Sequence, residues 1–197
     1  MSRRSALLPL LAVLVLAVVA AVQLASGTAR AQDTESAIED YASYDPQSRC
    51  RPEAKSGTKV LGRWIVRRHG GAFGPISRPC DSGGTSEHKE GRAFDWTLDA
   101  TKKKDRQKAA AFLELVRASD KVGNPDARAR RMGIMYVIWN DRMYSAWDGF
   151  EGEPYLASSC PSKKKCSATA RHRDHLHISL SRVGGRGRTS WYEGRLD

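Results

Sequence analysis

The sequence predicts an α+β domain: a small, mainly antiparallel sheet with helices packed on one side. Three observations predict it. Ile134 to Trp139 is rich in β-branched and aromatic residues, and Asn140-Asp141 then leads into a returning segment, Arg142 to Trp147; this is the pattern of a β-hairpin. Asp105 to Ala118 carries Ala109, Phe112, Leu113 and Val116 on one helical face. Two further runs, Ala93 to Leu98 and His175 to Ser181, have strand character and lie far apart in the chain.

The remaining elements follow in chain order. Arg3 and Arg4, an apolar run from Ala6 to Val22 broken only by Pro9, and the small-residue site Ala29-Arg30-Ala31 form a secretory signal over residues 1–31, cut before Gln32. Left uncut, the run would be an N-terminal anchor. Residues 32–48 carry Asp33, Glu35, Glu39 and Asp40 and read as a polar linker that holds at most a short helix and ends in a turn at Asp45-Pro46. The folded domain is expected over residues 49–197 of the 197-residue chain, a size that suits one core. Val60, Leu61, Trp64 and Ile65 give Lys59 to Arg68 helical spacing, with Ser56 or Thr58 as cap and Gly70-Gly71 as stop. Gly74-Pro75 opens a loop or short strand to Cys80. Pro125 to Met132 reads as a short helix ended by Gly133. Asp148 to Thr169 has no periodicity and is expected as a long loop; Gly184-Gly185-Arg186-Gly187 is expected as a flexible turn. Trp191-Tyr192 is expected to pack back on the body.

Charge and cysteines set the compartment. There are 33 lysines and arginines against 22 acidic residues, a formal net charge of +11. The expected signal holds three of those arginines and no acid, so the mature chain stays basic and is drawn to polyanions. Outside a bacterial cell these are anionic wall polymers or anionic lipid. Nucleic acid is the weaker partner, because no aromatic–basic interleaving of a nucleic-acid groove is present. No stable membrane association is expected after cleavage of the signal. Four cysteines in an exported chain imply two disulfides. Three pairings can be drawn; Cys50–Cys80 and Cys160–Cys166 are the ones that each close a local loop.

The chemistry concentrates in two motifs. Ser86-Glu87-His88-Lys89-Glu90-Gly91-Arg92-Ala93-Phe94-Asp95 places an imidazole and a carboxylate on either side of a glycine turn. Downstream, His175 and His177 share one face of a strand. Alone, each residue reads as an ordinary surface or core side chain. Together, His88, Asp95 and His177 form the ligand set of a catalytic Zn2+ site that leaves a fourth position for water. The pattern Ser86-x-His88-x-x-x-Gly91-x-Ala93-x-Asp95, then Asp174-His175-x-His177, resembles the zinc D-alanyl-D-alanine peptidase superfamily, which includes D,D-carboxypeptidases, D,D-dipeptidases, L-alanyl-D-glutamate endopeptidases and lysostaphin-type enzymes. Its first segment is also similar to the metal segment of the hedgehog domain. The resemblance implies that Asp174 is the general base, that His175 assists proton transfer or the transition state, and that Ser86 bonds the substrate backbone. It also implies an oxyanion-stabilising arginine upstream, for which Arg67, Arg68 and Arg78 are candidates. With export, it implies a secreted, cell-wall metallopeptidase acting on peptidoglycan peptide. A non-catalytic zinc-containing binding or signalling module and a metal-dependent nuclease are the alternatives. His69 and His172 have no motif position and are placed outside the site.

Overall fold

Chain elements fall where periodicity and turn chemistry change. The structure, a computed structural model, describes residues 38–196. The expected signal and the start of the linker lie outside the described residues. Helix α1 spans Ser56–His69 and stops at Gly70. It is one turn longer than the periodicity predicts at its start, with Lys55 as cap residue and no side-chain cap. Strand β1 is Ala72–Phe73 and β2 is Ala93–Thr97. Helix α2 spans Lys103–Arg117 and buries the predicted face of Ala109, Phe112, Leu113 and Val116. Helix α3 is Ala127–Arg131. The predicted hairpin is β3, Ile134–Trp139, and β4, Arg142–Ser145. Asn140 and Asp141 both have positive φ, 48° and 65°, the conformation a tight two-residue hairpin turn requires.

Strands β5, Gly152–Pro154, and β6, His175–Leu180, complete a six-stranded sheet in the order β1-β2-β6-β3-β4-β5. Every neighbouring pair is antiparallel. The fold is therefore the α+β class the sequence predicts. The central strand β6 comes from the far end of the chain and pairs with both β2 and β3.

The two faces of the sheet differ. Phe94, Trp96, Leu176, Ile178, Val137 and Trp139 pack against Leu61 and Ile65 of α1 and Phe112 of α2 in one core. Full burial of each such side chain contributes about 1.5–3 kcal/mol. The alternate residues, Asp95, His175, His177 and Ser179, lie on the opposite face by the strand period of two. A bulge adjusts this alternation in β3. Ile134 pairs with Leu180, but Tyr136 pairs with Ser179, so Met135 and Tyr136 both join the cluster on that second face.

Three segments differ from their sequence expectation. Asp148 to Thr169 is not structureless: Gly152–Pro154 pairs with the edge strand β4, although a Gly-Glu-Pro run carries no strand signal. The segment at Gly184 forms a short helix, α4, Arg182–Gly185, rather than a flexible turn. A Cβ on Gly184 would meet the backbone of Gly133 at 2.8 Å, so glycine serves close packing there. Residues 38–48 have neither helix nor strand, yet they belong to the compact unit that begins at Ile38. Tyr41 donates to Asp126 at 2.6 Å, and the buried Arg92 guanidinium donates to the Asp45 carbonyl. A fully buried arginine needs several acceptors, and this arm supplies one of them.

Both local cysteine pairs form. Cys50–Cys80 and Cys160–Cys166 have Cα separations of 5.8 and 5.5 Å. Stable disulfides point to an extracytoplasmic location. Among the described residues no helix is long and apolar enough to cross a membrane.

Candidate metal centre

His88 stands on a single 3₁₀ turn, Glu87–Glu90, that ends at Gly91 with φ 65°. A Cβ at Gly91 would lie 2.0 Å from the Glu53 carbonyl, so the turn is possible there only without a side chain. The turn folds His88 back over β2. Asp95 on β2 pairs directly with His177 on β6, which brings those two side chains together on one face.

The three atoms converge. His88 Nε2 lies 3.1 Å from Asp95 Oδ1 and 3.2 Å from His177 Nδ1, and His177 Nδ1 lies 2.9 Å from Asp95 Oδ1. The other nitrogen of each ring is held. His88 Nδ1 donates to the Ile76 carbonyl at 2.8 Å. A carbonyl only accepts, so neutral His88 presents a lone pair at Nε2. Ser179 Oγ donates to Glu87 Oε2 at 3.3 Å, and so accepts from His177 Nε2 at 2.9 Å. Neutral His177 therefore presents a lone pair at Nδ1. Tyr136 donates to the same Glu87 oxygen at 2.5 Å and stacks on the His177 ring, with centroids 5.6 Å apart. Burial pushes the His177 pKa down, against the pull of Asp95. Burial also opposes ionisation of Asp95; an inward proton on either adjacent ring, His177 or His88, favours its charged form and holds its carboxyl well below the usual range.

Three acceptors thus face one another at about hydrogen-bond distance with no proton assigned between them. Such a constellation repels itself unless a cation sits at its centre. The spacing fits a divalent ion, since tetrahedral ligands about 2.0–2.1 Å from a metal stand roughly 3.3 Å apart. The residues present therefore suit a metal ion.

The family model of the VldE C-terminal domain matches residues 50–165, more than half of the chain. The chain belongs to the VldE C-terminal domain family. The matched stretch contains His88 and Asp95 and ends before β6. No curated protein and no solved structure matches the chain.

Around the three ligand candidates of this VldE C-terminal domain chain stand the other predicted residues. Asp174 lies just before β6, where the backbone leaves the strand. Its carboxylate accepts from His175 Nδ1 at 2.7 Å and from the Thr169 hydroxyl. Burial opposes its ionisation, while Thr169 and His175 hold its pKa below the usual value. His175 Nε2 is the atom that reaches the cluster, 3.6 Å from Asp95 Oδ1. Ser86 precedes the 3₁₀ turn; its backbone N–H donates to Gln47 and its carbonyl accepts from Lys89 N–H. Of the three candidate arginines, Arg78 is tied to the site, its backbone N–H donating to the His88 carbonyl at 3.3 Å. Arg67 and Arg68 lie on α1, over the other face of the sheet. Trp139 is in the core, while Trp147 is exposed and lies 6.2 Å from the Tyr136 ring, at the rim of the cluster.

Two participants escape motif reading. Glu87 accepts from Tyr136 and Ser179 and so reaches His177 through the Ser179 hydroxyl, although its neighbour His88 draws the attention in sequence. His172 stands with His175 and His177, ring centroids 4.8 and 5.5 Å away, and these three form a second group able to hold a metal. Its φ is 50°, uncommon for a non-glycine residue. Its buried Nδ1 has no partner among the described residues. Burial, and then the neighbouring His177 and His175, lower its pKa to about 2, so the ring is neutral. The spacing His172-x-x-His175-x-His177 was the available signal. His69 lies on the core side beside Trp96 and Phe112, away from the cluster.

Proposed function

We propose that this protein is an exported zinc metallopeptidase that hydrolyses amide bonds in peptide stems or cross-bridges of peptidoglycan. The observation that carries the reading is the convergence of His88 Nε2, Asp95 Oδ1 and His177 Nδ1, with the other nitrogen of each ring engaged so that its lone pair faces inward. Two imidazoles and a carboxylate suit zinc and leave a position for water. Bound zinc would supply Lewis acidity and lower the pKa of water to about 7.

The chain's own residues supply the proton path. Asp174 accepts from His175 Nδ1, which leaves the Nε2 lone pair turned toward the cluster. That atom takes a proton from the attacking water and returns it to the leaving amine. Asp174 orients the ring and stabilises its charged form, and so acts through His175 as well as by its own negative charge. Neutral His172 adds a second imidazole beside the reacting position. Of the three candidate arginines, Arg78 is assigned to meet developing negative charge, because its backbone adjoins His88 while Arg67 and Arg68 lie on α1. Wall peptide as the substrate is supported by the motif resemblance and by the disulfides, which suit a protein working outside the cytoplasm.

The test is incubation of purified sacculi with the protein, followed by mass spectrometry of released fragments. Cleavage that stops with a chelator and returns with zinc supports the reading. His175→Ala should lower the rate by about 10²–10⁴-fold with metal still bound. Metal binding without any cleavage of wall peptide would make the protein a binding module instead.

A further inference from the structure

On the helical side of the molecule, away from the His88 cluster, α1, α2, α3 and the C-terminal turn enclose a cavity of about 410 Å³. Four guanidinium groups line it: Arg68, Arg128, Arg131 and Arg195. Asp120 is the one acidic residue in the lining, and it pairs with Arg131 at 2.9 Å and also accepts from Asn124. Among the described residues, Arg68, Arg128 and Arg195 have no carboxylate within ion-pair distance. Like charges brought together without a counter-charge repel one another.

The groups are held in place. Arg68 lies over the Trp64 ring at 5.7 Å and Arg195 over the Trp191 ring at 5.0 Å. The two indoles meet edge to face at 5.4 Å, so one aromatic wall underlies both guanidinium groups. Arg128 sits between them, half-buried; burial and then the charges of Arg68 and Arg195 disfavour its ionised form. A surface cluster that served solubility alone would spread apart into solvent. Here two exposed guanidinium groups are stacked on indoles and the third is half-buried between them, around one concave surface.

We propose that this cleft is a binding site for a phosphate group, with Arg68, Arg128 and Arg195 as its ligands. Three guanidinium groups with no carboxylate partner among the described residues match a tetrahedral phosphate oxyanion, singly charged in a diester and up to doubly charged as the free ion, in both sign of charge and donor number, where a carboxylate would use only one or two of them. The group comes either from free phosphate or from the phosphodiester chain of an anionic polymer. The inference is independent of the zinc reading, because the cleft and the His88 cluster lie on opposite faces of the sheet.

Calorimetric titration tests it, with inorganic phosphate, poly(glycerol phosphate) and acetate as probes. Phosphate should bind saturably and raise the melting temperature. Acetate should bind at least about tenfold more weakly. Binding of the polymer as well as phosphate assigns the site to a phosphodiester chain; binding of phosphate alone assigns it to the free ion. Arg128→Gln should weaken phosphate about tenfold or more, and should leave the unliganded protein no less stable, because repulsion is relieved. Arg68→Gln, on an exposed side chain, should weaken binding without affecting folding. Lys163→Gln, an exposed lysine elsewhere, should change nothing. Binding should survive a chelator and His88→Ala, whatever becomes of the peptidase activity. Absence of saturable phosphate binding, equal affinity for acetate, or unchanged affinity in both arginine variants overturns the proposal.

Discussion

Ser179→Ala tests the proposed metal centre through a residue outside its three ligand candidates. Ser179 is fully buried at 0% exposure, so bulk water does not replace its hydroxyl. The hydroxyl accepts from His177 Nε2 at 2.9 Å and donates to Glu87 Oε2 at 3.3 Å. Its removal strips the proton on Nε2 of its acceptor, while Glu87 keeps only the bond from Tyr136 on that oxygen. The tautomer that turns the Nδ1 lone pair inward is then no longer favoured. Loss of such an outer contact lowers metal affinity by about 10–100-fold, equivalent to about 1.4–2.7 kcal/mol. The metal-free protein should also lose about 1–3 kcal/mol for the unpaired buried group. Competition for zinc against a chromophoric chelator measures the first quantity, and urea unfolding of the apo-protein measures the second. A folded Ser179→Ala protein with wild-type zinc affinity would refute the claim that His177 is a ligand held by this relay.

Three further outcomes follow from the same structure. Gly91→Ala should cost several kcal/mol, or about 3 or more, because it combines positive φ with a Cβ 2.0 Å from the Glu53 carbonyl; urea denaturation checks it. Replacing Cys50 and Cys80 by Ala should destabilise the fold by about 3–4 kcal/mol, the chain-entropy value for a 30-residue separation, and replacing Cys160 and Cys166 by about 2, measured by chemical unfolding. Asp141 pairs with Arg171 at 2.7 Å, and that bond holds its pKa below the model-peptide value. A depressed folded pKa gives stability that is present above the unfolded value of about 3.9 and is lost as pH falls through the folded one. The stability gap between wild type and Asp141→Asn should therefore be constant above about pH 5 and close progressively below about pH 4; thermal melts across that range measure it.

What the sequence by itself determined is local or nearly so. The α2 stripe, the Asn140-Asp141 hairpin and the strand runs around Asp95 and His177 are legible because residue period and turn chemistry act within a few positions. The convergence of His88, Asp95 and His177 is legible because few residue types suit a metal and because a glycine turn and two strand runs can aim those three at one point. The close-range cysteine pairing is legible because loop closure favours it. Tertiary structure decided what depends on distant partners. Gly152–Pro154 becomes a strand only because β4 offers an open edge. Residues 38–48 join the body because the buried Arg92 needs acceptors. His172 reaches the cluster through a positive-φ turn pinned by the β3–β4 hairpin, and the bulge at Met135 turns Tyr136 toward Glu87. In the same way Asp174 touches the cluster through His175, because β6 begins one residue after it. Each of these rests on long-range packing or on burial of a polar group, and neither leaves a periodic mark in the chain.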